Sequence, residues 1–435
     1  MMYDKTGETM ERADLEQLQI ERLQTTLNRV YRSVAFYRGQ FDAAKVDIGG
    51  IKTIADVRRL PFTVKEDLRR AYPYDMFAVP LRDIVRIHAT SGTTGKPIAV
   101  GYTKNDVHHW SELVARQLVS IGMNEHDVVQ VAFAYGLFTG GLGFHYGAER
   151  IGASVIPSSS AGNPADQLVI MKDYKATAII AMPGYAMTIA HLMKEMRIHP
   201  ESTNLKYGVF GAEPWSERVR GLLEERLHIT AYDTYGVAEV MGPGVSGECI
   251  RREGLHINED HFIAEIIDPR TCEPLAEGEV GELVLTTITK EGFPLIRYRT
   301  GDLTSITRRP CACGRTLARM GRVSGRTDDL LFVQGARIFP SQIQQVLLEV
   351  EGVEPEYQVV LETRDEMDTV ELLVTVSAES GDFDEIRRLE RTRSAVAGLL
   401  LSRHGLKVKV TFVEAQTLRN MDGRKATRVV DRRVK

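Results

Sequence analysis

Cysteine is scarce in this chain, with four residues among 435, too few to staple so long a polypeptide, so a disulfide framework is excluded and the thiols read as reduced groups or metal ligands. No apolar run approaches the roughly 20 residues that cross a bilayer. The opening, MMYDKTGETMERADLEQL, mixes acids with bases and lacks an apolar h-region, so no signal peptide is expected. A basic excess is also missing: the net charge is -4, without the footprint expected for a nucleic-acid or anionic-membrane partner. There is no internal repeat, no low-complexity segment and no His-Glu-x-x-His pattern, which removes an open-site zinc hydrolase. What is present is ordinary for a soluble globular protein, 43% hydrophobic and 26% charged. The length is too great for one core and suits two or three domains. A cytoplasmic enzyme is the expectation.

Near the start, Leu23, Leu27, Val30, Tyr31 and Val34 recur at helical spacing. Residues 61–80 predict a short helix between prolines. From about 84 to 330, runs such as IVRIHA, DVVQVAFA, ASVIPS, TAIIAMP and YGVFGA alternate with helical runs such as NDVHHWSELVARQLVSI and WSERVRGLLEERL. That alternation predicts an α/β fold with a parallel or mixed sheet covered by helices. Residues 263–307 suggest a smaller antiparallel section. After GRTDD the pattern resets: IFPSQIQQVLLEV predicts a helix, YQVVLET and TVELLVTV strands, and a second helix follows. The chain divides on this reading into 1–325 and a small α+β unit, 326–435.

The sharpest local signal is Thr90-Ser91-Gly92-Thr93-Thr94-Gly95-Lys96-Pro97. Glycines let backbone N–H groups close around an anion, hydroxyls add donors, and Lys96 adds a point charge. It is not a Walker loop, because two residues rather than four separate the glycines and Pro97 follows the lysine. By composition alone a simple turn competes equally.

With that loop, the ordered strings GLFTGGLGFHYGAE, FGAEPWSERVR, YDTYGVAEVMGPGV, GLHINEDHF, GELVLTTITKEGFPLIRYRTGDL, GRTDDLLFVQGARIFPSQI and RKATRVVD make the chain resemble the phenylacetate–CoA ligases. These are the aryl-acid branch of the adenylate-forming superfamily, and the resemblance runs from about residue 30 to the end. It implies a large N-terminal domain and a small mobile C-terminal domain. ATP, with magnesium, and a carboxylic acid would give acyl-AMP and pyrophosphate; coenzyme A would then take the acyl group and release AMP.

The resemblance also assigns residues. Ser91 to Lys96 would hold phosphates, with Thr94 and Lys96 catalytic. Glu239 would hold magnesium on ATP. Gly211, Ala212, Glu213 and Pro214 would form the adenine-facing turn, and Asp233, Tyr235 and Gly236 would lie beside the nucleotide. Asp302 would bind the ribose hydroxyls with Arg326 nearby, although alone it reads as a turn residue. Lys425, in Gly423-Arg424-Lys425-Ala426, would bridge the substrate carboxylate and the α-phosphate; two adjacent cations there are a mild departure from the family pattern. Asp328 would be the hinge. Tyr135, Phe138, Gly140, Gly141 and Val237 would line a pocket for a flat aryl or arylacetic acid, against the plainer reading that the glycines allow close packing.

Cys249, His256, Cys311 and Cys313 form a four-ligand N/S set that suits tetrahedral structural zinc, with His261 as a competing ligand and Cys272 as the outsider. Two alternatives stay open here, an adenylyl transferase acting on a deazaflavin and an idle nucleotide-binding scaffold. A homodimer is the commonest oligomer to expect.

Overall fold

The computed structural model describes residues 1–90, 97–161, 163–364, 367–376, 384–418 and 428–433. Among them, a nine-stranded sheet organises the larger part of the chain. One half of it is parallel, in the order Ser154–Ile156, Val128–Val131, Ala178–Ala181, Tyr207–Gly211 and Thr230–Val237. The run Ala-Ile-Ile-Ala is buried at all four positions, as expected of a strand with both faces covered. Helices Thr139–Arg150, Pro164–Asp173, Pro183–Glu195 and Glu217–Leu227 provide the crossovers. Two of them begin on proline, whose fixed φ and missing N–H suit a first helical turn.

The sheet changes character at Thr230–Val237. This strand is parallel to Tyr207–Gly211 on one side and antiparallel to Gly242–Glu248 on the other. Leu255–Ile257, Arg319–Met320 and Ile306–Thr307 complete the antiparallel half. A second, antiparallel sheet joins Phe262–Ile267, Gly281–Thr287, Tyr298–Thr304 and Gly325–Arg326. Helix Arg12–Ser33 presents Leu23, Leu27 and Val30 to the same core, and Arg12 bonds Glu259 at 2.9 Å.

The alternating pattern misleads at one place. Arg86–Ala89 does not enter the large sheet; it pairs antiparallel with Ala99–Tyr102 as a separate two-stranded unit. A four-residue strand such as Arg-Ile-His-Ala does not reveal from its sequence which strand it will pair with. The helix expected over IFPSQIQQVLLEV begins at Pro340, because Ile338 still belongs to strand Ala336–Ile338.

A second hydrophobic core, running from Val333 to Val410, belongs to a four-stranded sheet ordered Lys409–Phe412, Met367–Val376, Val353–Arg364 and Val429–Asp431. Helices Pro340–Glu349 and Asp384–His404 accompany it. Polar contacts dock this unit onto the larger one. Arg226 reaches both oxygens of Glu354 at 3.1 and 3.2 Å, His191 lies 3.4 Å from Glu354, and Arg428 lies 3.7 Å from Glu213. No described helix is long and apolar enough to cross a membrane.

Candidate active site

In open sheets of this kind, ligands bind beyond the carboxyl ends of the strands, where the strand order reverses. Here the strand order reverses between Val128–Val131 and Ala178–Ala181, and the family-assigned carboxylates gather two strands further on, at the carboxyl end of Thr230–Val237, where the sheet turns from parallel to antiparallel. Tyr235 donates to Asp302 Oδ2 at 2.6 Å, and Arg326 donates to Asp302 Oδ1 at 2.5 Å. Arg326 continues to both oxygens of Asp328, at 2.8 and 3.1 Å, so one guanidinium joins the expected ribose acid to the expected hinge. Gly301 has φ +78°, and a Cβ there would stand 2.9 Å from Arg326 Nη2, so glycine lets the arginine close over the strand. Burial works against the charge of Arg326, but Asp302 and Asp328 outweigh it and hold its pKa up.

Glu239 follows two residues later in the chain than Val237, in a tight turn whose Val240 and Met241 N–H groups both donate to Val237 O at 3.0 Å. Gly236 is required by close approach, since a Cβ would fall 2.0 Å from Gly242 O. The Glu239 side chain is buried, with Lys65 Nζ 3.4 Å away and the Tyr298 hydroxyl against it. A buried carboxylate held by one half-exposed ammonium and one phenol fits a hard cation that also takes phosphate oxygens.

The expected adenine turn begins where strand Tyr207–Gly211 ends. Ala212 adopts φ +68°, and Glu213 turns inward to accept from Gly184 N at 2.8 Å while facing Arg428. Asp233 accepts from Trp215 Nε1 at 2.9 Å and lies 3.5 Å from Arg322. Burial pushes its carboxyl up to about 7, with Arg322 and Trp215 pulling the other way.

Tyr135 and Phe138 flank the start of helix Thr139–Arg150. The Tyr135 hydroxyl is 3.2 Å from His145 Nδ1, Phe138 is exposed, and Val237 is half-buried. A Cβ added at Gly140 would meet Phe138 and Phe133 atoms at 2.6 and 3.3 Å, and one at Gly141 would meet Ala134 O and the Tyr135 ring. Both glycines thus let these aromatic rings approach the helix backbone closely. Ser91, Gly92, Thr93, Thr94, Gly95, Lys96 and Lys425 lie outside the described residues. The strands flanking the first group are registered Ala89 to Ala99, and Thr90 N donates to Ile98 O at 3.1 Å.

The structure brings Cys249, His256, Cys311 and Cys313 together, with one ligand atom from each lying within 4.8 Å of the others. Cys313 Sγ is 3.4 Å from His256 Nε2, and Cys249 Sγ is 3.8 Å from Cys311 Sγ. A donor set of three thiols and an imidazole, buried except for the half-buried Cys313, fits tetrahedral zinc. His261 is elsewhere, bonded to Thr289 at 2.8 Å and 3.3 Å from Asp260. Cys272 faces Arg299.

Two groups at the site escape the sequence patterns. Lys65 lies in helix Lys65–Arg70, whose signal was only proline punctuation, and it meets Glu239 from 174 positions away in the chain. Trp215 sits between the Arg322 and Arg220 guanidinia, 4.5 and 5.2 Å from its ring. Its place directly after Glu213-Pro214 was the available clue.

Comparison with known proteins bears on this site. A model described as "AMP-binding enzyme" matches residues 16–289, and one described as "AMP-binding enzyme C-terminal domain" matches 335–433. The chain is 44% identical to a phenylacetate-coenzyme A ligase of Thermus thermophilus over 100% of both chains. It is 43% identical to that of Escherichia coli, covering 98% of this chain and 97% of the relative. Among solved structures, 2-hydroxyisobutyryl-CoA ligase in the postadenylation state with 2-HIB-AMP superposes with a TM-score of 0.90 at 28% identity, over 98% of this chain and 91% of that one. The same enzyme with 2-HIB-AMP and CoA in the thioesterification state gives 0.74 at 30% identity, over 99% and 92%. This chain's arrangement is thus more similar to the postadenylation one.

Proposed function

The chain belongs to the AMP-binding enzymes, with phenylacetate-coenzyme A ligases as full-length relatives, and from that premise we propose that it joins an arylacetic acid, phenylacetate first, to coenzyme A. The observation that carries the reading is the convergence of Glu239, Tyr235, Asp302 and Arg326 at the strand end where the sheet changes direction, in a chain with those relatives.

The carboxylate oxygen of the acid attacks the α-phosphorus of ATP, the bond to the pyrophosphate oxygen breaks, and acyl-AMP forms. The thiol sulfur of coenzyme A then attacks the acyl carbon, AMP leaves with the original carboxylate oxygen, and the thiol loses its proton. Catalysis of the first step is positioning plus stabilisation of charge at phosphorus. Asp302 is placed to accept the ribose hydroxyls, and Arg326 fixes its carboxylate. Glu239 would hold magnesium, which neutralises phosphate charge when bound. Ser91 to Lys96 and Lys425 are assigned by the family resemblance to the phosphates and to the bridge between acid and nucleotide. Arg326 links Asp302 to Asp328, so a change of dihedral angles at Asp328 would release that link as the small domain turns; because strand Gly325–Arg326 pairs within the larger unit, we place the division of the chain just after Arg326 rather than at the expected 325/326.

The Cys249, His256, Cys311 and Cys313 set is read as a structural zinc site, pinning the loop before Arg319–Met320 to the strands on either side of residue 250. A cytoplasmic setting belongs to the same reading. The test is thioester formation from ATP, magnesium and coenzyme A across aryl, arylacetic and short aliphatic acids. Coenzyme A-dependent turnover of an arylacetic acid supports the reading. Acid-dependent pyrophosphate release without any thioester would favour a transferase acting on another acceptor.

A further inference from the structure

Lys290 is a buried lysine that the reaction outlined above does not use. It is 2% exposed, and its ammonium lies 4.1 Å from the Tyr102 ring centroid and 5.8 Å from that of Phe293. Burying an ammonium is costly unless it makes strong contacts. Its hydrogen bond goes to Val240 O at 2.6 Å, the carbonyl of the residue after Glu239.

That bond is one of three. Tyr102 donates its hydroxyl to Met241 O at 3.0 Å, and Trp110 donates Nε1 to Pro243 O at 2.8 Å. The two rings are stacked at 5.1 Å and both are buried. Three side chains from three separate parts of the chain therefore hold three carbonyls in the four residues following Glu239.

The supports of Lys290 are also fixed. Asp106 accepts from Glu291 N at 2.7 Å and Gly292 N at 2.8 Å, so the backbone beside the lysine is anchored to helix Lys104–Ser120. The same carboxylate closes that helix's capping box with Thr103, which ties the anchor to strand Ala99–Tyr102. A stability role alone would be met by an apolar side chain of this length packed against Tyr102 and Phe293. The amine donor does something an apolar chain would not: it fixes a carbonyl orientation and thereby the turn that aims Glu239.

We infer that Lys290, with Tyr102 and Trp110, is a positioning residue that sets the Glu239 carboxylate for magnesium–nucleotide binding in the adenylation half-reaction. The inference rests on the assignment of Glu239 above. A side chain that acts through the turn should alter the magnesium requirement of the first half-reaction and spare the second, which starts from acyl-AMP and releases no pyrophosphate.

The experiment measures acid-dependent ATP–pyrophosphate exchange against magnesium concentration, and separately thioester formation from supplied phenylacetyl-AMP and coenzyme A. It is run on the full chain and on Lys290→Met, Tyr102→Phe and Glu239→Gln. Lys290→Met should raise the half-saturating magnesium concentration about tenfold while thioester formation from acyl-AMP stays within about twofold, with Tyr102→Phe shifting the same way by less. Equal losses in both half-reactions, or an unchanged magnesium requirement in Lys290→Met while Glu239→Gln shifts it, would overturn the inference and leave the Glu239 assignment standing. If Glu239→Gln itself leaves the magnesium requirement unchanged, the Glu239 assignment falls and the role of Lys290 falls with it. Should Lys290→Met fail to fold, Tyr102→Phe decides, because it keeps the stacked ring and removes only the donor.

Discussion

Asp260 and Glu239 are both buried carboxylates, and they are held in opposite ways. Asp260 is saturated: Arg116 reaches both its oxygens at 2.9 Å, Arg22 lies 3.9 Å away and His261 3.3 Å away. Burial would push its pKa up, but His261 and Arg116 hold it well below the usual carboxylate range. Glu239 faces one half-exposed ammonium and a phenol, while the backbone after it is tied down by three donors. The contrast separates a carboxylate that joins elements from one whose surroundings are rigid while its own oxygens stay available. A group that must exchange partners during a reaction needs that second arrangement.

The sharpest way to break the contrast is to neutralise each carboxylate in turn. Glu239→Gln should lower adenylation by about 10²–10³-fold, the scale of losing one preorganised electrostatic group at a reacting centre, here through weaker magnesium binding, with little change in thermal unfolding. Asp260→Asn should do the reverse. It strips Arg116 of its main partner, leaving Asp4 at 2.6 Å, and should cost about 3 kcal/mol in unfolding measurements with the magnesium requirement unchanged. Because the folded-state pKa of Asp260 is depressed, its contribution is complete above the unfolded value near ~3.9 and fades only as pH falls toward the folded value. The gap in melting temperature between parent and Asp260→Asn should therefore persist from pH 7 to about pH 4 and narrow below it.

How far each arrangement could be read from the sequence differs for a physical reason. Asp302 and Arg326 were marked only by the family resemblance, since alone Asp302 reads as a turn residue; the fold brings their two strings into register as strand partners. The parallel strands were legible because burial on both faces makes them apolar throughout, as in Ala178–Ala181. The four metal-ligand candidates were legible because cysteine is rare here and three of four fall in two loop segments. Arg116 and Asp260 were not, since 144 positions separate them and neither pattern nor periodicity marks a buried ion pair on a helix that otherwise reads as amphipathic. Lys65 and Lys290 were hidden likewise, each an ordinary charged residue until the fold places it beside the turn at Glu239.

Smaller effects sharpen the same contrast. Cys313→Ser should reduce bound zinc from about one per chain to near zero by elemental analysis, and should lower the melting temperature less than Asp260→Asn does, since that site ties loop to strand rather than helix to core. Lys65→Ala should be nearly silent in unfolding, within about 1 kcal/mol, because the Lys65–Glu239 pair is partly solvent-exposed.

The most direct test of the ligase reading follows an oxygen atom. Phenylacetate labelled with ¹⁸O in its carboxylate is turned over with ATP, magnesium and coenzyme A, and the products are analysed by mass spectrometry. If the chain forms an acyl-adenylate, one labelled oxygen leaves with AMP at each turnover and pyrophosphate stays unlabelled. Label in inorganic phosphate with ADP as the nucleotide product, or thioester formation with unlabelled AMP, would contradict it.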